Sequence, residues 1–243
     1  MIVLIITAVR IKSMDSHRIS GRILAENIAG PGMLRLVEQS MQARARKTSV
    51  TEIAVKERKH PQAALTFDDG PDIRYTPLLL DGLKERNVRV SFFLLGEKVE
   101  QYPELVERMQ KEGHLVGNHT YHHVQLNKLN ETKAREEILK TNNLIYETTG
   151  VYPLYLRPPF GAWKKNLELC VEMLPVFWTI DTLDWKVQNT EKIVRTVQEQ
   201  IEDGAIILMH DEYDTSVEAA LQVVDDLKAQ GYELVTVDQL ILP

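Results

Sequence analysis

Adjacent carboxylates and a spaced pair of histidines are the residues of this sequence best suited to chemistry. Asp68 and Asp69 follow an apolar run and precede a Gly-Pro pair that favours a turn. Two neighbouring carboxylates repel each other unless a cation lies with them. His119 and His123 are four residues apart, so a helical turn or a tight loop would place both imidazoles on one side. With Asp69 they would give the three ligands and open position of a catalytic metal site.

Three further polar clusters follow later apolar runs. Arg157 starts an Arg-Pro-Pro-Phe-Gly turn, and His210 ends a short apolar run. Asp184 and Trp185 end an Asp-Thr-Leu-Asp-Trp segment. Each cluster alone has a structural explanation, as an ion pair, a helix cap or a buried histidine. All five clusters nevertheless fall where a predicted strand ends, and a barrel gathers its active site at those ends. Their shared placement predicts one functional rim.

These residue types are suited to hydrolysis of an amide or an ester. A divalent metal held by the aspartate and two histidines would supply Lewis acidity and a bound water. Asp68 would act as general base, kept ionised by a bidentate contact from Arg157. His210 would protonate the leaving nitrogen, with Asp184 orienting its ring. A backbone N–H in the turn at 159–161 would stabilise the oxyanion.

Short apolar runs, each followed by an amphipathic stretch, recur from Gln62 onward. They do not alternate with polar residues, which is typical of a parallel sheet covered by helices. The predicted strands are 63–67, 90–95, 114–117, 155, 176–180, 205–209 and 233–237. The predicted helices carry Leu79 and Leu83, begin at Pro103, run from Asn130 to Gly150, and cover 164–173, 191–201 (N-cap Thr190) and 217–230.

The rhythm of about seven βα units in ~180 residues favours one α/β barrel, closed or nearly closed. An open doubly wound sheet is the alternative, but the Gly-rich phosphate-binding turn after its first strand is absent from the sequence.

Composition restricts the classes of protein and of metal site. The chain has 243 residues, 44% apolar and 26% charged, which is typical of a globular protein. Its 29 basic and 35 acidic residues give a net charge of -6, which argues against a nucleic-acid partner. Its single cysteine, Cys170, excludes an intramolecular disulfide and a Cys-based zinc cluster. A metal site must therefore use histidines and carboxylates.

The first part of the chain, 1–59, is predicted to be an N-terminal appendage to a domain at 60–243. Its apolar run at 2–9 is shorter than the ~20 residues that span a bilayer. The run could be a strand or an arm, or the end of an export signal or anchor, in which case the N-terminus would associate with a membrane. The basic residues near 44–47 are interpreted as a solvated face.

The five clusters resemble, in order, the five motifs of the polysaccharide deacetylase (NodB homology) domain, carbohydrate esterase family 4. The motifs lie at 66–71, 119–123, 157–161, 181–185 and 208–210, and the resemblance covers 62–242. It implies a distorted (β/α)7-type barrel and metal-dependent removal of N- or O-acetyl groups from sugars. The family's usual Tyr in the third motif is Phe160 here, which preserves a backbone N–H donor to the oxyanion.

The resemblance also implies a role for each matching residue. Carried over by position, the base is Asp68, the metal ligands are Asp69, His119 and His123, the acid is His210, the supporting residues are Arg157 and Asp184, and the substrate contacts are Phe160, Gly161, Trp185 and Leu208. Zinc is the expected metal, with cobalt, nickel or manganese as alternatives.

The segment at 178–186 is most similar to peptidoglycan N-acetylglucosamine deacetylases, so an acetylated wall glycan outside the cytoplasm is the expected substrate. Chitooligosaccharide or acetylxylan are alternatives within the family. A non-haem iron oxygenase and a non-catalytic carbohydrate-binding module are the alternatives from other classes. The oxygenase triad needs neither a second carboxylate base nor an opposing histidine acid, and this chain has both.

Overall fold

In the computed structural model, residues 59–163 and 171–241 are described. Within these ranges eight strands form one sheet, and every strand pairing is parallel. The strands are β1 Gln62–Asp68, β2 Ser91–Leu94, β3 Leu115–Asn118, β4 Tyr155–Leu156, β5 Leu174–Pro175, β6 Ile180–Asp181, β7 Ala205–His210 and β8 Glu233–Leu234.

Helices separate most of these strands along the chain. They are α1 Tyr75–Glu85, α2 Gly96–Gln101, α3 Pro103–Lys111, α4 Glu131–Thr149, α5 Asp184–Val187, α6 Thr190–Gln200, α7 Asp214–Ala229 and α8 Val237–Ile241, with short 3-10 turns at Leu126–Lys128 and Pro159–Gly161.

The strand order is β5-β4-β3-β2-β1-β7-β6, and β8 pairs with the first residues of β1. The sheet is therefore the incomplete, parallel-stranded barrel predicted from the sequence, with β1 at its centre. β5 and β6 end this order in the described part of the chain, so the barrel is open between them.

The main core lies between the sheet and helices α1, α6 and α7. The rings of Phe67 on β1 and Phe92 on β2 stack with centroids 5.4 Å apart. Leu79 and Leu83 of α1 are fully buried against them, as their shared helical face predicts. Burying each such leucine contributes ~1.5–3 kcal/mol, and the packing fixes the strands whose ends carry the polar clusters.

Helix α4 begins and ends at the predicted residues. The side chain of Asn130 accepts the Lys133 N–H at 2.9 Å, and Gly150 has a φ of 70°. The first contact satisfies a free N–H of the first helical turn, and the second allows the left-handed end that glycine tolerates best.

The strand predicted at 176–180 is wrong. Two short strands replace it: β5 ends just before the segment, and β6 begins at its last residue, Ile180. They pair with different neighbours, β5 with β4 and β6 with β7. Val176 to Thr179 cross the opening between these two halves of the sheet. The Val176 N–H donates to the Leu156 carbonyl at 2.8 Å and the Thr179 N–H to the Ile206 carbonyl at 2.9 Å, so the two ends of the segment bond to opposite halves.

The strand predicted at 233–237 ends at Leu234, because helix α8 begins at Val237, directly after Thr236. The Gln239 side chain accepts the Thr236 N–H at 3.2 Å, and the Thr236 carbonyl accepts the N–H of Gln239 at 3.1 Å. The contact of the Gln239 side chain with the Thr236 N–H is one half of a capping box, a helix-start signal that outweighs the preceding β-branched residues.

Three smaller predictions are either corrected by the structure or fall on residues outside the described ranges. Asn189, and not Thr190, caps α6, because its side chain accepts the Lys192 N–H at 2.9 Å. Helix α2 was not predicted. The helix expected at 164–173 falls mostly outside the described residues, and 171–173 are not helical. The appendage expected at 1–59 also lies outside them, apart from Lys59.

Among the described residues, no helix is both long enough and apolar enough to cross a membrane.

Candidate active site

The carboxyl end of β1 is the centre of the site. Asp68 is the last residue of β1 and lies in register with His210, the last residue of β7. His119 directly follows β3, and Arg157 directly follows β4. Parallel strands end at the same rim, so the sheet brings these side chains together as the sequence pattern predicts.

Asp69, His119 and His123 form a cluster suited to a metal ion. Asp69 Oδ1 lies 3.4 Å from the Nε2 atom of each histidine, and the candidate ligand atoms all lie within 4.8 Å of one another. This oxygen is buried and makes no hydrogen bond within the described part of the chain. A buried carboxylate oxygen without a donor is costly, so its position between two imidazole nitrogens fits a divalent cation.

The tautomer of His119 is set by the backbone. Its Nδ1 lies 2.7 Å from the carbonyl oxygen of Arg157. A carbonyl only accepts, so Nδ1 carries the proton and donates, which leaves the Nε2 lone pair facing Asp69. Burial lowers the pKa of His119 to about 3, so the ring is in the neutral form that binds metals.

The two histidines are joined by a tight loop and not by a helical turn. Thr120 and His123 have φ values of 68° and 55°, and Asp69 has a φ of 69°. Such values are uncommon for residues other than glycine, and they cluster at functional sites. The ring of His122 bonds to Glu137 and is not among the candidate ligands, as its sequence position predicts.

Asp68, the expected base, is held by Arg157. Arg157 Nη1 donates to Asp68 Oδ1 at 2.8 Å, while Asp68 Oδ2 is 3.7 Å from His119 Nε2. Burial raises the pKa of Asp68 above its usual range, although Arg157 and His210 oppose the shift. The carboxylate is therefore a stronger proton acceptor than the fully stabilised anion expected from the sequence.

The contact between Arg157 and Asp68 uses one nitrogen, whereas a bidentate pair was expected. Arg157 Nη1 is shared with Thr66 Oγ1 at 2.6 Å, and Nε donates to the carbonyl of Val176 at 3.3 Å. The guanidinium is fully buried and lies 4.2 Å from the ring centroid of Phe93. Thr66 was not predicted as a site residue. The feature of the sequence that could have indicated it is a hydroxyl side chain inside an otherwise apolar strand.

His210, the expected acid, is paired with a buried carboxylate. Its Nδ1 lies 2.8 Å from Asp184 Oδ1, and its backbone N–H donates to Asp184 Oδ2 at 2.8 Å. Burial disfavours the charged ring, but Asp184 and the nearby carboxylates raise the pKa of His210 to about 9. In turn, despite burial, His210 lowers the pKa of Asp184. The ring therefore carries a proton at neutral pH, and its Nε2 is 3.9 Å from Asp69 Oδ2.

The expected substrate contacts lie along the same rim. Phe160 has a φ of 59°, is 63% exposed, and places its ring centroid 4.5 Å from that of His123. The Gly161 N–H donates to the Pro158 carbonyl at 3.0 Å, whereas no acceptor for the Phe160 N–H occurs among the described residues. Of these two turn amides, the Phe160 N–H is therefore the one available to an oxyanion.

The last two motifs contribute Trp185 and Leu208, whose side chains differ in their exposure to solvent. Trp185 is 48% exposed, whereas Leu208 is 5% exposed within β7. The carbonyl of Leu208 accepts the Thr182 hydroxyl at 2.8 Å, so the two motifs are in contact. The Trp185 indole is therefore accessible from solvent, whereas the Leu208 side chain is almost fully covered.

Comparison with known proteins gives the family. The model of the polysaccharide deacetylase family matches residues 55–177. The peptidoglycan-N-acetylglucosamine deacetylase PgdA of Listeria monocytogenes is 42% identical over 185 residues, 76% of this chain and 40% of its own length. PdaC of Bacillus subtilis, named a peptidoglycan-N-acetylmuramic acid deacetylase, is 43% identical over 177 residues, 73% of this chain and 38% of its own length.

The solved structure of Bacillus subtilis PdaC superposes with a TM-score of 0.73 at 42% identity and covers 75% of this chain and 91% of that one. The chain spans about 40% of the length of the two curated relatives. Fold, sequence and the polar rim agree, and the chain belongs to the polysaccharide deacetylase family.

Proposed function

We propose that the protein is a metal-dependent hydrolase that removes N-acetyl groups from N-acetylglucosamine units of peptidoglycan. The family is metal-dependent, and one observation carries the proposal to this chain. A buried, unpartnered carboxylate oxygen of Asp69 lies between two histidines, with a carboxylate and a protonated histidine beside it. Hydrolysis of an amide needs this combination of a base, an acid and an electrophile.

Asp69, His119 and His123 would hold the metal, with zinc as the expected ion for two imidazoles and one carboxylate. When bound, the metal supplies Lewis-acid polarisation and lowers the pKa of a water. Asp68 takes a proton from the attacking water, because Arg157 holds its Oδ1 and leaves Oδ2 toward the metal ligands.

His210 then gives its proton to the leaving nitrogen. Asp184 fixes the ring through Nδ1, so Nε2 is the atom that faces the reaction. The Phe160 N–H donates to the oxyanion, and Trp185 and Leu208 line the acetyl-methyl pocket. The sugar chain lies across the exposed face of Phe160 and Trp185, since aromatic faces bind the apolar faces of sugar rings.

Peptidoglycan is the proposed substrate because both curated relatives are named for it. Their names differ in the sugar, which makes N-acetylmuramic acid the second candidate. A protein with this substrate acts outside the cytoplasm, facing the cell wall.

Acetate release from defined glycans tests the proposal. The panel contains peptidoglycan fragments with either sugar N-acetylated, chitooligosaccharides and acetylxylan, each assayed with and without a chelator. We expect chelator-sensitive release from N-acetylglucosamine in peptidoglycan. Release from acetylxylan alone would contradict the substrate, and oxygen-dependent product formation would contradict hydrolysis.

Asp68→Asn is the matched variant for the chemistry. Asn keeps the shape of Asp68 but cannot take a proton, so turnover should fall on the order of 10²–10⁴-fold while the zinc content stays that of the wild type. Normal turnover by this variant would refute Asp68 as base.

A further inference from the structure

A carboxylate of helix α4 is hydrogen-bonded to the loop between the two candidate histidine ligands. Glu137 Oε2 accepts the backbone N–H of Tyr121 at 3.0 Å and that of His122 at 2.9 Å. Its other oxygen, Oε1, lies 2.8 Å from Nδ1 of the His122 ring. All three contacts fall on residues between His119 and His123, and Glu137 is not one of the candidate ligands.

The loop needs such a restraint because its backbone is strained. Thr120 and His123, which flank Tyr121 and His122, both have positive φ. Each left-handed residue other than glycine costs roughly 1–2 kcal/mol, so surrounding contacts must favour this shape over a relaxed one. A charged acceptor of two backbone N–H groups is a strong contact of this kind.

Glu137 can act as a restraint because α4 is itself fixed. Ala134 and Ile138 of this helix are fully buried against Leu126 and Leu156. The side-chain amide of Asn118 donates to the Ile138 carbonyl at 2.9 Å. One helix therefore holds the residue before His119 and the residues after it.

We propose that Glu137 is a positioning residue, which holds the loop in the one shape that directs both histidine Nε2 atoms at Asp69 and so sets the metal affinity. The inference rests on the proposed metal site. It assigns Glu137 no contact with the metal or the substrate, only with the backbone and ring that lie between the two ligands.

The test compares zinc affinity in Glu137→Ala with Glu136→Ala, measured by competition with a chromogenic chelator. Glu136 is the exposed neighbour on the same helix, so its variant reproduces the change in charge and helix propensity. Loss of a residue that orients metal ligands typically weakens binding about 10–100-fold. We expect a loss of that size in Glu137→Ala and an unchanged affinity in Glu136→Ala.

A second measurement needs no metal. In the metal-free protein, the Tyr121 and His122 amides donate to Glu137, so their hydrogen exchange should quicken in Glu137→Ala while exchange in the core strands stays the same. Glu137→Gln keeps one acceptor oxygen, so its loss of zinc affinity should be smaller than that of Glu137→Ala. It replaces the alanine variant in both measurements if that variant does not fold.

The outcomes separate the two proposals. Wild-type protein that binds no zinc, or a His123→Ala variant that binds it equally well, would overturn the metal site and with it the role of Glu137. Zinc binding that depends on His123 but not on Glu137, or equal losses in the Glu136 and Glu137 variants, would overturn the role of Glu137 alone.

Discussion

At the scale of single residues, three side chains of the site each have one polar atom in a hydrogen bond and one left for chemistry. His119 uses Nδ1 on the Arg157 carbonyl, His210 uses Nδ1 on Asp184, and Asp68 uses Oδ1 on Arg157. The atoms that remain, two Nε2 and one Oδ2, face the same volume beside Asp69. Orientation is thus fixed before a substrate arrives, which removes part of the entropic cost of reaction.

Asp184→Asn should separate orientation of the acid from metal binding. An amide cannot stabilise the charged ring of His210 and can present an N–H where Nδ1 needs an acceptor, so kcat should fall on the order of 10²–10⁴-fold. The zinc affinity should not change, because Asp184 is not among the candidate ligands. The measurement is steady-state acetate release together with zinc titration.

Asp181→Asn is the control for this variant. Asp181 accepts the Leu183 N–H at 3.0 Å, a bond that the oxygen of Asn can keep, so turnover should stay near that of the wild type. Equal loss in both variants would show that the segment, and not the pair of Asp184 with His210, determines the rate.

The sequence predicted the residue types of the site and two of its pairs, Arg157 with Asp68 and Asp184 with His210, and the structure shows both contacts. The spacing of His119 and His123 predicted proximity, and the structure adds that a strained loop produces it. The single-nitrogen contact of Arg157 could not be predicted, because it depends on the position of Thr66, 91 positions away, whose hydroxyl accepts a second bond from the same nitrogen. Pairings of that kind depend on the sheet and not on local pattern.

At the scale of elements, apolar runs predicted the buried strands best where a single run forms one strand that pairs with a strand on each side. β1 and β7 are apolar and almost wholly buried, and both were predicted to within about a residue. The run near 176–180 failed because its two ends pair with opposite sides of the open barrel. Burial alone gives no information on that choice, so the sequence could not provide it.

His114 joins the starts of β2 and β3 and makes stability sensitive to acid. The Val90 N–H donates to its Nδ1 at 3.1 Å, and the side chain is buried. Burial lowers its pKa from 6.5 to about 4, with Glu112, Arg89 and Arg108 as the charged groups around it. The unfolded chain therefore binds the proton more readily than the folded one.

The contribution of His114 to the free energy of unfolding is therefore complete above pH 6.5 and is lost as the pH drops toward about 4. The loss is on the order of 3 kcal/mol at most, since one pKa unit corresponds to about 1.4 kcal/mol. His114→Asn keeps an acceptor for Val90 and cannot titrate, so its stability should depend less on pH across this window.

Urea unfolding of the metal-free protein at several pH values measures this difference. His60→Asn, which replaces an exposed histidine, is the control and should keep the pH dependence of the wild type. An unchanged dependence in His114→Asn would contradict the assignment.

At the scale of the whole molecule, the position of β1 explains why one rim collects the site. β2 and β7 flank β1 at its carboxyl end. Asp68, the proposed base, therefore lies between His210 at the end of β7 and the loop after β3, which is one strand further along the sheet. The candidate metal ligands come from two separate loops, one after β1 and one after β3. A bound ion would therefore join segments that are distant in the sequence.

Zinc should accordingly stabilise the folded chain as a whole. A ligand that binds only the folded state adds about 2.7 kcal/mol to the free energy of unfolding when its free concentration is 100 times its Kd. Urea unfolding in buffered zinc should show this increment, and a chelator should remove it. In His123→Ala the increment should be largely lost, whereas His60→Ala should retain it, because His60 is exposed and is not a candidate ligand. Stabilisation of equal size in both variants would mean that zinc binds without His123, which would contradict a site built from Asp69, His119 and His123.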